Sequence, residues 1–294
     1  MPMLETSPED AALWVQACIR EFVVHSPDNH LQDPERERAF DAPLVGFAAG
    51  DDPLFAAYRE HVGPFHWTPL EIFQRTFPDA LVSADALTVI GWILPQTRAT
   101  KRDNRRAKRF PAERWSRART FGEPFNARLR GHVVDTLAAA GIRAVAPMLS
   151  PHWERRESAA HGYASTWSER HAAYACGLGT FSLSDGLITP LGMAVRVGSV
   201  VAAMRIPPSP RPYSQHQAYC LFHARGTCGK CMQRCPAGAI TAAGHDKVKC
   251  KAYIRTRAMP FIKARYGFAG NGCGLCQTGV PCESGIPVRE NVSA

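Results

Sequence analysis

Eight of the chain's ten cysteines fall between Cys220 and Cys282, leaving only Cys18 and Cys176 for the rest of its 294 residues. Ten thiols are too few for a disulfide scaffold, and close C-x2-C pairs mark a segment whose fold is organised around metal. The densest run is Cys228-Gly-Lys-Cys231-Met-Gln-Arg-Cys235-Pro236-Ala-Gly-Ala-Ile240, that is C-x2-C-x3-C-P followed by a small-residue turn and an apolar residue. A second run is Cys273-Gly-Leu-Cys276-Gln-Thr-Gly-Val-Pro-Cys282, with Cys250 alone between the two and Cys220 ahead of both.

The first run ends like the bacterial ferredoxin motif C-x2-C-x2-C-x3-C-P. A tight Gly-containing turn directs two sulfurs to one side, while the Cys before Pro is carried off toward a second centre. The first Cys of the full motif would fall at Arg225, so Cys220 is the candidate for that ligand. The eight cysteines make two sets of four, the number each [4Fe–4S] cluster requires. By the crossed logic of two-cluster ferredoxins, one set is Cys220, Cys228, Cys231 and Cys282. The other is Cys235, Cys250, Cys273 and Cys276. One zinc ion held by the two C-x2-C pairs is the weaker alternative: about 41 residues separate them against the usual 15–20, and four further cysteines would have no role.

The remaining chain, 45% hydrophobic and 21% charged overall, has material for a sizeable core in one large or two modest domains. Residues 8–25 read as an amphipathic helix capped by Ser7, with Cys18 on its core side, and 69–76 as a short helix. Ala86–Pro95 is a continuous apolar run that suits a buried central strand. Residues 124–140 read as a helix ended by Gly141, Ile142–Leu149 as a strand and Met193–Ile206 as another; strand, helix, strand implies an α/β layer. The Pro-rich Pro207–Pro212 divides a domain over 1–206 from a second over 207–294.

Between Arg98 and Arg119 stand ten basic residues against Asp103 and Glu113, so nearly all of the net charge of +9 sits there. It reads as a solvated helix or loop, or as a docking site for an acidic protein, a phosphate-bearing ligand or nucleic acid. No run of about 18 apolar residues exists, and the first 25 residues carry acidic groups where a leader has basic ones. A cytoplasmic protein with no membrane partner is expected, its thiols reduced and free to ligate metal.

Together with the cysteines, Glu169-Arg-His-Ala-Ala-Tyr-Ala-Cys-Gly177-Leu178-Gly179-Thr-Phe resembles the iron–sulfur superfamily of epoxyqueuosine reductases and corrinoid reductive dehalogenases. The resemblance covers about residues 85–285 and rests on an order of elements: strand, helix, strand, Gly-Leu-Gly turn, strand, double ferredoxin motif. It implies an α/β (α+β) core like the nitroreductase-related cobalamin-binding domain of that family, followed by a two-cluster ferredoxin-like domain. It also implies two [4Fe–4S] clusters feeding a cobalamin held near Gly177, Leu178 and Gly179. The implied partners are a low-potential electron donor of ferredoxin or flavodoxin type and a small-molecule or modified-nucleoside substrate. A tRNA has no motif of its own here. Counting back from Glu169, the family's acidic proton donor falls near Tyr163, a phenol that can serve as a general acid. Glu169, Arg170 and His171 open a helix and read equally as solvated face or internal ion pair. Three functions follow: a cofactor-dependent reductase, an electron-transfer or accessory protein, and, with least support, a nucleic-acid-binding iron–sulfur protein.

Overall fold

Ser7 opens the first helix by accepting the Asp10 N–H, Pro8 occupies its first turn, and Ala11, Val15, Ile19 and Val23 recur at four-residue spacing, so α1 (Pro8–His25) buries one stripe. The structure, a computed structural model, describes residues 7–288; positions 1–6 of the stretch read for a leader lie outside it. β1 (Leu44–Ala49), α2 (Pro53–His61) and α3 (Pro69–Thr76) follow, α3 fixed by a reciprocal capping box between Thr68 and Glu71. Then come β2 (Thr88–Pro95), α4 (Arg98–Arg106), α5 (Glu113–Ala139) and β3 (Ala144–Val145). A hairpin of β4 (Arg155–Ser158) and β5 (Gly162–Ser165) leads into α6 (Glu169–Ala175), the small pair β6 (Thr180–Phe181) and β7 (Leu187–Ile188), and β8 (Val195–Ala202).

β1, β2, β8 and β3 form one sheet in that order, with every neighbouring pair antiparallel. β2 is buried at all eight positions because both of its faces are covered. Ile90, Trp92 and Leu94 pack with α1 and α5 through Val15, Ile19, Phe125 and Leu129. Val89 and Ile93 face the other layer, with Phe55, Tyr58, Ile72, Trp167 and Leu178. The period-two alternation of one strand thus divides two apolar clusters, and the architecture is an α/β layered fold.

The strand–helix–strand unit does form part of an α/β layer, with β2 and β3 running the same way and β8 between them. Two expectations need correction. The strand expected over Ile142–Leu149 is only Ala144–Val145, because Pro147 starts a 3-10 turn. Helix α5 begins at Glu113 rather than near Pro124, which stays inside it; Trp115, Ala118 and Gly122 are buried like Phe125 and Leu129, and that packing outweighs the amide lost at Pro124. Cys18 is half-buried at the α1–α5 seam, its sulfur 3.5 Å from His132 Nε2.

The C-terminal segment has short elements: α7 (Leu221–Arg225), α8 (Lys230–Arg234), β9 (Ile240–Thr241), β10 (Gly244–His245) and α9 (Lys247–Tyr253), which runs through one π-helical turn (Ile254–Ala258) into α10 (Met259–Tyr266). Its core is small, built on Leu183, Ile188, Met193, Ile240 and Val280 with Cys220. Among the described residues, no helix is long and apolar enough to cross a membrane.

Candidate functional site

Cys220 caps the start of α7, Cys231 lies within α8, and Cys228 precedes it by one tight turn through Gly229. Cys282 arrives from the far end of the chain. All four line one apolar cavity with Ile188 and Met193. Burial pushes the Cys231 thiol up to about 11, and the neighbouring Cys220 and Cys228 add to the effect. Cys282 rises to about 12, by burial and then by Cys220 and Cys231. The other four thiols also meet. Burial raises Cys273 to about 11, with Cys250 and Cys235 contributing. Cys276, half-buried, lies well above the ordinary thiol range by burial, with Cys273, Cys250 and Cys235 adding charge repulsion.

Crowded thiols that repel one another's ionisation form a strong donor set for a cationic core, because binding the core removes the protons that burial retains. The spacing selects among cores. Among the described residues, no three cysteine sulfurs lie within 4.8 Å of one another. Four thiolates at about 2.3 Å from one zinc would stand about 3.8 Å apart. Neither set is gathered to the spacing of a single zinc ion.

The two thiol sets are joined to the α/β body by the basic stretch, which the sequence alone presents as a surface. Arg234, the residue before Cys235, donates from Nε to the carbonyls of Thr278 (2.9 Å) and Leu275 (3.2 Å), from Nη1 to Ala107 (2.8 Å) and from Nη2 to Asn104 (3.0 Å). Asn104, fully buried, donates to Thr278 Oγ1 (3.0 Å) and the Gly274 carbonyl (3.3 Å). Arg105 pairs with the buried Glu283, next to Cys282. Phe110 stacks on Phe261 at 4.2 Å, and Tyr253 and Tyr266 donate to the carbonyls of Arg109 and Pro111. Trp115 covers Gly274, between Cys273 and Cys276, so closely that a Cβ there would sit 2.1 Å from the indole. Arg114 is held by Glu37 and Asp103, and Arg117 by Glu113. Much of the local charge therefore serves as an internal bracket. The mixture of charges with Asn104, Phe110 and Trp115 is the signal in the sequence that could have indicated it.

Gly177 and Gly179 meet the protein's own backbone. A Cβ on Gly177 (φ +75°) would lie 2.4 Å from the Pro210 carbonyl oxygen, and one on Gly179 (φ +157°) 2.2 Å from that of Ile188. Leu178 is buried in the core beside Cys176, above the paired strand glycines Gly46 and Gly91; a Cβ on Gly46 would strike the Cys176 carbonyl at 2.4 Å. The turn thus seats the end of α6 on the sheet. Corrin contact is not built from these three residues as they stand.

Tyr163, on β5, lies under Lys251 of α9, with Nζ 3.4 Å from the ring centroid, and its carbonyl accepts Lys247 Nζ at 3.1 Å. This puts Tyr163 beside the helix that carries Cys250. Glu169 is an internal partner: Arg130, 2% exposed, donates Nε to it at 2.9 Å, and the Ser199 hydroxyl donates to its other oxygen. Burial raises the Glu169 carboxyl above its ordinary range, against the opposing pull of Arg130. His171 bonds Ser168 Oγ through Nδ1 at 2.8 Å and packs with Tyr58, His66 and Phe181. His66, which the sequence did not mark, is 1% exposed, and neither of its ring nitrogens has a hydrogen-bond partner.

No protein-family model matches the chain. Two curated relatives, the epoxyqueuosine reductases of Bacillus anthracis and Bacillus cereus, are each 31% identical over 125 residues, covering 40% of this chain. The match spans 30% of each relative's length, under a third of those proteins. Among solved structures, a selenomethionine-labelled epoxyqueuosine reductase aligns with a TM-score of 0.51 at 15% identity, over 96% of this chain and 68% of that one. A catabolic reductive dehalogenase in complex with 3-bromo-4-hydroxybenzoic acid aligns at 0.51 and 18%, over 95% of this chain and 38% of the other. The chain shares the α/β fold of these reductases and dehalogenases.

Proposed function

We propose that the chain is an iron–sulfur oxidoreductase in which two four-cysteine sets would hold [4Fe–4S] clusters supplying low-potential electrons for reduction of an organic substrate; the corrinoid implied by the resemblance would need a seat other than Gly177, Leu178 and Gly179. The observation that carries this reading is the convergence of eight thiols from distant parts of the sequence into two groups, neither gathered to the spacing of a single zinc site. Cys220, Cys228, Cys231 and Cys282 would hold one cluster; Cys235, Cys250, Cys273 and Cys276 would hold the other. The clusters supply one-electron transfer when bound, and the corrinoid the reductive chemistry at the substrate.

The chain's own residues supply the setting. Ile188, Met193 and Val280 keep water from the first thiol set, while Arg234 and Asn104 hold the second set's loop against the α/β body. Tyr163 is the proposed proton donor, at the hairpin facing Cys250's helix. The substrate proposed with this reading is a small molecule or a modified nucleoside, with or without its tRNA, and the proposed donor is a ferredoxin or flavodoxin.

A second reading has its own support. Gly177, Leu178 and Gly179 are occupied by Pro210, Ile188 and the sheet, which favours an electron-transfer or accessory protein that carries clusters and no catalytic cofactor. Iron, zinc and cobalt content of protein purified without oxygen from cells supplied with cobalamin decides between them. About eight irons and one cobalt per chain support the reductase. About eight irons without cobalt support the carrier, and zinc in place of iron overturns both. Cys276→Ala should lower iron to about four per chain, and retention of the full content would refute the ligand assignment.

A further inference from the structure

The last helices carry positive charge that is not ion-paired. From Lys247 to Tyr266 the chain has seven basic residues and no acidic one. None of the seven forms an ion pair among the described residues. In the basic stretch Arg105, Arg114 and Arg117 each have a carboxylate partner, while Arg98, Arg106, Lys108 and Arg109 also stand exposed without an ion pair among the described residues. Lys247 and Lys251 turn inward to Tyr163. Lys249, Arg255, Arg257, Lys263 and Arg265 are exposed. Arg109, also exposed, adjoins them through its carbonyl bond to Tyr253.

Two of the few large apolar side chains left in solvent, Val248 (59% exposed) and Met259 (37%), stand on the same two helices. Small apolar contacts within a charged surround suit a weak, rapidly exchanging protein complex. The cysteine set that would hold a cluster adjoins these helices. Cys250 is part of α9, and Tyr253, three residues on, is near enough to Cys273 to feel its charge.

We propose that the α9–α10 face docks the acidic surface of a low-potential one-electron carrier protein. The inference rests on the two-cluster reading for its purpose. The reduced carrier loses one electron and the cysteine centre beside Cys250 gains it; no atom is transferred. Unpaired like charges on adjacent turns cost folding free energy, and an acidic partner offsets that cost while raising the encounter rate. A protein fits better than a nucleic acid. Tyr253, Phe261 and Tyr266, the aromatic side chains that could stack bases, are engaged with Arg109, Phe110 and Pro111.

The test uses the full chain purified without oxygen, with an acidic plant-type ferredoxin as the probe. Affinity is measured by calorimetry at about 20 mM and about 200 mM salt, and cluster reduction by stopped-flow absorbance. Arg255→Glu with Arg257→Glu should weaken binding at least about tenfold at low salt and flatten its salt dependence, whereas Arg20→Glu on α1 should change neither. Reduction by dithionite should be the same in all three proteins. The pair Arg255→Gln with Arg257→Gln gives a milder loss in the same direction and keeps the test valid should the reversal fail to fold. Unchanged ferredoxin affinity and salt dependence in the paired variants overturn the proposal. So does a wild-type chain that ignores ferredoxin but binds a single-stranded RNA 20-mer through these arginines. Iron content is read separately: binding that responds to the charge changes in a chain without iron refutes the cluster reading and leaves the docking face standing.

Discussion

Arg234→Met should loosen the junction between the thiol sets and the α/β body without touching a cysteine. The guanidinium serves four backbone carbonyls in two segments: Asn104 and Ala107 after α4, and Leu275 and Thr278 around Cys276. A hydrogen bond from a charged donor contributes about 1.5–3 kcal/mol, but four on one side chain are not additive, and carbonyls near the surface recover water. Discounting the nominal sum by half or more gives a loss of about 3–5 kcal/mol. At about 2–4 °C per kcal/mol for a chain of this size, the melting midpoint should fall by at least about 6 °C, read by far-UV circular dichroism at pH 7.5. Arg234→Lys keeps the charge but not the planar fork, so it should recover less than half of the loss. Amide hydrogen exchange should quicken across residues 275–280 in Arg234→Met while β2 stays protected, because the sheet does not depend on this contact. A midpoint within about 2 °C of wild type, or equal rescue by lysine, would refute the bracket.

Three further outcomes are expected. Gly274→Ala places a methyl group into the Trp115 ring at a position with φ +65°; a left-handed penalty of about 1–2 kcal/mol plus overpacking of about 1–3 kcal/mol should lower the midpoint by several degrees, and an unmoved midpoint in the same melt would contradict the contact. Burial holds His66 at about 4, below its unfolded value near 6.5, so the unfolded chain binds the extra proton between these limits; stability is whole above pH 6.5 and declines toward pH 4, by about 2 kcal/mol between pH 7 and pH 5. Urea titrations at the two pH values should show that loss shrinking in His66→Phe, and an undiminished loss counts against His66 as its source. Tyr163→Phe should lower turnover with metal content intact once a substrate is found, and equal turnover removes the phenol as proton donor.

The sequence was most legible where a pattern has one physical cause. The Ser7 cap, Pro8 and the helical spacing of apolar residues placed α1 at its observed bounds, although the buried stripe runs through Ala11, Val15, Ile19 and Val23. The ten-residue apolar run could only be a strand covered on both faces. It was least legible where a residue's use depends on segments distant in the chain. Nothing near Ala144 reveals that β8, fifty residues later, inserts beside β3. Nothing near Arg234 reveals that its acceptors lie at Asn104 and Thr278. His66 carries no motif at all, and only the enclosing packing of Tyr58, Trp167 and His171 makes it unusual.

The basic residues show how the same ambiguity reaches function. Charge counting treats Arg98–Arg119 and Lys247–Tyr266 alike, yet folding separates them by the carboxylates and carbonyls it brings within reach. Glu283, Glu37 and Asp103 neutralise Arg105 and Arg114, whereas no basic side chain of α9 or α10 forms an ion pair among the described residues; the Asp246 carboxylate accepts the Lys249 amide at the start of α9. Total charge locates neither interface, because a guanidinium paired inside the protein adds little field outside it. What remains after internal pairing is the quantity that a partner meets, and part of that remaining charge lies on the helix carrying Cys250, outside the stretch where the sequence concentrates it.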